Sequence, residues 1–199
     1  MSTMNWLLAT HNQGKIKELH RILSDLPVNV VGLAEAGIHE ESPETGDSFL
    51  ENALQKARFY KERFPGPVLA DDSGLEVDAL NGAPGIHSSR FGGFPTHAEK
   101  CAYLLGLLSE VPPALRSARF RCAAVFYDGS EPLVAQGSVE GYIGQFPQGD
   151  GGFGYDPVFS AEIGGPTLAQ VSPEEKNKTS HRAKAFGELM DLIKARAYA

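Results

Sequence analysis

The stretch NWLLATHNQGKIKELHRILSDL, residues 5–26, decides the fold class. Its first five residues read as a buried strand, a short apolar run that ends in polar residues. From Gly14 onward, Ile16, Leu19, Ile22, Leu23 and Leu26 recur at helical spacing. A strand that turns directly into a helix opens an α/β unit. The chain then continues in kind. VNVVGL (28–33) predicts a second strand, and Ser48 with Glu51 forms a capping-box pattern ahead of Phe49, Ala53, Leu54 and Ala57, a helix expected to end near Pro65. PVLA (67–70) predicts another strand, and Thr96 with Glu99 a second capping box before CAYLLGLLS (101–109). Residues 117–144 change character and predict two or three strands, the first pair joined by a turn at Asp128–Ser130. Two helices close the chain, one from Pro173 after Ser172, the other from His181 after Ser180 with Ala183, Phe186, Leu189, Met190 and Ile193 facing inward. The expected fold is α/β, a mixed sheet flanked by helices.

Composition bounds the function. At 199 residues and 42% hydrophobic content the chain can bury a substantial core as one domain, or one domain with two lobes. Its formal net charge of -7 provides no general attraction to nucleic acid or to an anionic membrane, so a polyanionic ligand needs a local basic site. No apolar run approaches the roughly 20 residues of a membrane span, and the N-terminal stretch lacks a signal-peptide pattern. A cytoplasmic protein is expected. Cys101 and Cys122 are far apart with no CxxC spacing, which predicts two ordinary reduced thiols.

The chemistry-bearing residues gather in four segments. In PVLADDSGLEVDAL (67–80), Asp71 and Asp72 follow an apolar run, and each carboxylate disfavours ionisation of the other. One reading is an Asx turn that ends the strand. The other is a cation site, since Mg²⁺ takes one or two carboxylates together with waters and phosphate oxygens. The loop Thr10, His11, Asn12, Gln13, Gly14, Lys15 runs from strand into helix, so backbone amides, the positive helix end and the Lys15 cation favour phosphate. It lacks the spacing of a P-loop, and a simple helix cap would look similar. QGDGGFGYDPVF (148–159) packs four glycines around Phe153 and Tyr155 and reads either as a glycine hairpin or as a close-approach surface that stacks a base. In SPEEKNKTSHRAKA (172–185), Lys176 and Lys178 precede a helix whose first turn holds His181 and Arg182. Cations there oppose the helix macrodipole, which an acceptor-rich ligand explains better than helix stability does; a solvated face is the alternative.

The segments ATHNQGKIKE, ETGDSFLENALQKA, LADDSGLEVDALNGAPGIHSSRF, GGFGYDPVF and EEKNKTSHRAKA, taken in order, resemble the motifs of the inosine triphosphate pyrophosphatase (Ham1-like) family over nearly the whole chain. The resemblance implies a single domain, residues 1–199, built as an elongated mixed sheet with two lobes around a central active-site cleft, usually a homodimer. It implies Mg²⁺-dependent hydrolysis of the purine triphosphates ITP, dITP and XTP to the monophosphate and pyrophosphate, which removes deaminated purines from the nucleotide pool. Thr10, His11, Asn12, Gln13, Gly14 and Lys15 would hold the triphosphate. Asp72 would be general base and metal ligand, Glu44 the second ligand, Lys15 a charge that stabilises the leaving pyrophosphate, and Asp71 a supporting neighbour; Lys56, one turn after Asn52 on the same helical face, is a further candidate for that charge. Ser73 would contact substrate, Phe153, Gly154, Tyr155 and Asp156 would pack against base and sugar, and Lys176, His181 and Arg182 would reach the nucleotide. Fixed donors such as Arg182 and His181 suit the 6-oxo group of a deaminated purine and leave the adenine amino group mismatched.

Two departures from the family pattern stand out. Members frequently carry two glutamates before TG, whereas SPETG has only Glu44 after Pro43. His11 occupies a position where a small residue is frequent. Two rival readings remain: a regulatory module that holds a triphosphate without cleaving it, and a Maf-like nucleotide pyrophosphatase.

Overall fold

The computed structural model describes residues 4–24 and 27–197. Leu26, the last position of the predicted apolar stripe, lies outside the described residues. β1 (Asn5–Leu8) leads into α1 (Gln13–Ile22), followed by β2 (Asn29–Gly32), α2 (Phe49–Lys61), β3 (Val68–Val77) and α3 (His97–Leu107). β4 (Ser117–Tyr127), β5 (Leu133–Ile143), β6 (Phe159–Ser160), α4 (Pro173–Thr179) and α5 (His181–Ala197) complete the order. The strands form one sheet in the order β2-β1-β3-β4-β5-β6. β1 runs parallel to both neighbours, with Leu7 opposite Val31 on one side and Val68 on the other, whereas β5 and β6 are antiparallel. The sheet is therefore mixed, as expected.

Local chemistry explains the boundaries. Asn12 caps α1, its side chain accepting from the Gly14 and Lys15 amides. Thr96 and Glu99 make both halves of the predicted capping box on α3, and Ser172 with Glu175 does the same on α4. At α2 only half of the predicted box forms. Ser48 accepts from the Glu51 amide, but the Glu51 carboxylate accepts from the Asp47 amide at 2.7 Å. The region 117–144 holds two long strands, joined by a connection too short for anything but an antiparallel return.

The largest difference from expectation is at Asp71–Gly74. These residues do not end a strand in a turn; they lie inside β3, which runs unbroken from Val68 to Val77. β3 lies between β1 and β4; its register with β1 ends at Leu8 opposite Leu69, and the strand continues past that end through Asp71–Gly74, its extended pairing outweighing the turn preference of Asp, Ser and Gly. In extended backbone successive side chains point to opposite faces, so the two carboxylates diverge.

The chain divides into two compact units: residues 1–72, 122–137 and 182–199, and residues 73–121 and 138–181. Each has its own core. In the first, Trp6, Leu8, Leu19, Leu69, Phe126, Phe186 and Leu189 pack together, so the predicted apolar faces of α1 and α5 meet the strands. In the second, Leu75, Val77, Leu104, Phe120, Tyr155, Val158 and Phe159 form the core.

Gly141 is what lets β6 lie against β5. A Cβ there would stand 2.2 Å from the Ser160 carbonyl oxygen and 2.6 Å from the Phe159 ring. Gly141→Ala is expected to lower stability by about 1–3 kcal/mol, read as a lower urea midpoint; an unchanged midpoint would show that the β5–β6 contact yields without cost.

Candidate active site

In the first unit, four elements bring charge to one buried point. β3 supplies Asp71 and Asp72, which are 1% and 7% exposed. α1 supplies Lys15, whose Nζ lies 2.9 Å from Asp71 Oδ2. α5 supplies Arg182, whose Nε donates to the same oxygen at 3.4 Å while Nη1 pairs with the buried Glu18 carboxylate on α1. α2 supplies Lys56, which donates to the Asp71 carbonyl at 3.0 Å and pairs with Glu44 at 2.8 Å. Asn52, one turn before Lys56, donates from Nδ2 to Asp72 Oδ2 at 3.2 Å and accepts the Gly46 amide at 2.8 Å. A Cβ at Gly46 would meet Glu51 Cβ at 2.6 Å, so a glycine is what allows this segment to close onto α2.

The adjacent carboxylates titrate in opposite directions. Burial alone would raise Asp71, but the charges of Lys15, Arg182 and Lys56 hold it well below the usual carboxylate range. Asp72 is pushed up, chiefly by burial and further by Glu44 and Asp71, against the pull of Lys15 and Lys56. Burial would lower Lys56; Asp72, Glu44 and Asp71 raise it instead, so it stays an ammonium. Asp71 is thus the ionised anchor and Asp72 the more basic carboxylate.

Among the described residues, no three or more His, Cys, Asp or Glu side chains converge as a ready-made metal cage. Glu44 and Asp72 do share one field, since both act on Lys56 and Glu44 raises Asp72. Two carboxylates that disfavour each other's charge fit a cation that takes its remaining ligands from water and phosphate.

The loop before α1 is partly committed. Thr10 is buried and its Oγ1 accepts the Asn12 amide at 3.1 Å, while Asn12 occupies the Gly14 and Lys15 amides that the sequence offered to phosphate. His11 and Gln13 are exposed, and the His11 ring approaches the Glu40 carbonyl oxygen at 3.3 Å. Ser73 is half-buried within β3.

The second unit holds a separate cluster. Asp156, 2% exposed, accepts the Phe153 amide at 2.7 Å and the ammonium of buried Lys176. Lys176 Nζ lies 5.0 Å from the centroid of the half-buried Phe153 ring. Gly152, at φ 68°, has no room for a Cβ, which would meet Asp156 Oδ2 at 2.1 Å. Tyr155 differs from the stacking surface its sequence context suggested. It is buried in the core, its hydroxyl donating to the Ser88 carbonyl at 2.9 Å, because Leu75, Leu104 and Phe120, far along the chain, complete an apolar cluster that takes in so large a ring. His181 is also buried, stacked on Phe120 with centroids 4.8 Å apart and planes at 10°.

Arg182 has a role that position alone did not reveal. Its charge in a helix first turn is compensated by Glu18 and Asp71, so no ligand is needed to explain it. Sequence reasoning missed Glu18 and Asn52. Glu18 carries a weak signal, lying one turn after Lys15 on the same face of α1.

The sequence pattern of the Ham1 family matches residues 6–192. The chain is 48% identical over 193 residues to the dITP/XTP pyrophosphatase of Xanthomonas axonopodis pv. citri (strain 306), covering 95% of this chain and 96% of the relative. A HAM1 protein from Coxiella burnetii superposes with a TM-score of 0.85 at 37% identity, covering 97% of this chain and 100% of that one. The Staphylococcus aureus Ham1 protein does so with a TM-score of 0.84 at 36% identity, over 96% and 99% of the two chains.

Opposite titration gives the two acids opposite effects on folding. A depressed folded-state value makes Asp71 a source of stability that is present above the ordinary value of 3.8 and lost as pH falls below it. Asp71→Asn leaves buried cations without their partner and is expected to cost about 3–5 kcal/mol. Asp72 is raised, so its ionised form opposes folding, and Asp72→Asn is expected to be neutral or stabilising in metal-free buffer. Urea unfolding at neutral pH decides between them; equal destabilisation by both variants would remove the distinction.

Proposed function

The chain belongs to the Ham1 family, and we propose that it is a Mg²⁺-dependent pyrophosphatase of ITP, dITP and XTP, releasing the monophosphate and pyrophosphate. The observation that carries this reading is Asp72: a carboxylate of raised basicity beside the buried cations Lys15 and Lys56. A regulatory module would hold a triphosphate without needing such a base. A Maf-like enzyme would share the chemistry but fits the matched family less well.

Asp72 accepts the proton of a water that attacks the α-phosphorus in line with the departing pyrophosphate. Asn52 fixes the carboxylate through Oδ2, so its orientation does not depend on substrate. Lys56, kept charged by its acidic neighbours, and Lys15, anchored on Asp71, offset negative charge that builds on the leaving group. Asp72 and Glu44 would hold the metal, which supplies further neutralisation of phosphate charge when bound. Thr10 and the loop through Lys15 take the phosphates. Phe153, Gly154, Asp156, Lys176 and His181 take the base and sugar, and Arg182 positions Asp71. In this reading the enzyme is a single domain, 1–199, acting in the cytoplasm as a homodimer that clears deaminated purines.

Incubation with ITP, XTP, ATP, GTP and dTTP in the presence of Mg²⁺, with separate detection of pyrophosphate and phosphate, tests the assignment. ITP and XTP are expected to yield pyrophosphate, ATP little. Asp72→Asn should still bind ITP while losing at least about 100-fold in turnover, the usual scale of a general base. Turnover close to wild type in that variant would remove Asp72 from the mechanism, and binding without hydrolysis in the wild type would favour the regulatory module.

A further inference from the structure

Around the Phe153 ring the second unit gathers more positive charge than its acids neutralise. The Lys176 ammonium beside the ring is taken up by Asp156. His97, the first residue of α3, sets its ring 6.4 Å from that of Phe153. Lys100, one turn further, is 7% exposed, and its ammonium has no hydrogen-bond or ion-pair partner among the described residues. Besides burial, the Lys100 charge and the Asp156 charge act in opposite senses on His97, so both lie near that ring. The next residue, Cys101, donates from Sγ to the Gly154 carbonyl at 3.4 Å and ties the start of α3 to the loop.

Neither helix stability nor ion pairing explains this lysine. A cation in the first turns of a helix opposes the macrodipole, and the Lys100 stem is buried while its ammonium, which is not one of the fully buried unpartnered atoms among the described residues, reaches solvent. The nearest acid on its own helix, Glu99, is exposed and spends its carboxylate on the Thr96 cap, at 2.6 Å from the hydroxyl and 3.1 Å from the amide. A negatively charged ligand would supply what the fold does not.

We propose that Lys100 is a specificity-determining residue that favours a purine whose base carries negative charge, the 2,6-dioxopurine of XTP, over the neutral hypoxanthine of ITP. The proposal rests on the assignment of Phe153–Asp156 to the base. The second oxo group of xanthine makes a ring N–H acidic, so the base is largely anionic at neutral pH, whereas hypoxanthine keeps its proton. An ammonium that makes no ion pair and feels only the exposed, cap-committed Glu99 distinguishes the two; Lys176, already neutralised by Asp156, does so far less.

Lys100→Gln removes the charge at similar length, Lys100→Arg keeps it, and Lys100→Met serves if the glutamine variant does not fold. For Lys100→Gln, kcat/KM on XTP is expected to fall about tenfold, the scale of one charge-assisted contact, with ITP nearly unchanged. Lys100→Arg should keep the wild-type XTP/ITP ratio. An unchanged ratio in Lys100→Gln, or an equal loss on both substrates, overturns the proposal. Phe153→Ala, run in parallel, should raise KM for XTP and ITP together while leaving inhibition by inorganic tripolyphosphate alone. If Phe153→Ala has no effect on either KM, the base assignment falls and the proposal with it. If Phe153→Ala behaves as expected but the Lys100→Gln ratio does not move, only the charge inference falls.

Discussion

The ionised carboxylate of Asp71, buried between Lys15 and Arg182, is the constraint on which the first unit depends. It draws α1, β3 and α5 to one point, and Glu18 completes the balance by taking the other side of the Arg182 guanidinium. A buried charge that is paired costs little, but one that loses its partner costs a great deal, so none of these groups can be changed alone. Asp72 becomes useful because Lys15 and Arg182 are drawn to Asp71 Oδ2 first. The cations commit to the inner acid, and the outer one keeps the affinity for protons that burial confers.

The second unit repeats the device with different parts. Asp156 holds Lys176 and the Phe153 amide together, and the glycine at 152 permits the close approach. The aromatic ring, its amide and the cation over its face are therefore set by one carboxylate. Both units carry a buried acid that organises neighbouring chemistry without being the reactive group itself.

Much of this was legible in the sequence, for physical reasons that differ by element. The strand-to-helix opening, the caps at Thr96 and Ser172 and the paired long strands follow from short-range pattern, and the structure contains them. The order of the motifs identified the family. What the sequence hid was long-range. Residues with turn preference at Asp71–Gly74 are extended because they continue a long strand whose start is paired with β1, far earlier in the chain. The pairing of Arg182 with Glu18 and Asp71, and the packing of Tyr155 against Leu75, Leu104 and Phe120, join residues far apart in the chain and leave no local pattern. Glu51 found a nearer amide than the one its spacing suggested.

The distance along the chain between Asp71 and its partners has a consequence for synthesis. Lys15 precedes Asp71 and is available at once, but Arg182 follows it by 111 residues and follows Glu18 by 164. A nascent chain that has emerged only through β3 holds Glu18 and Asp71 without the Arg182 guanidinium that pairs with both. The first unit can close only after the start of α5 has left the ribosome, so premature termination before that helix leaves an open, proteolytically vulnerable fragment instead of a half-active enzyme.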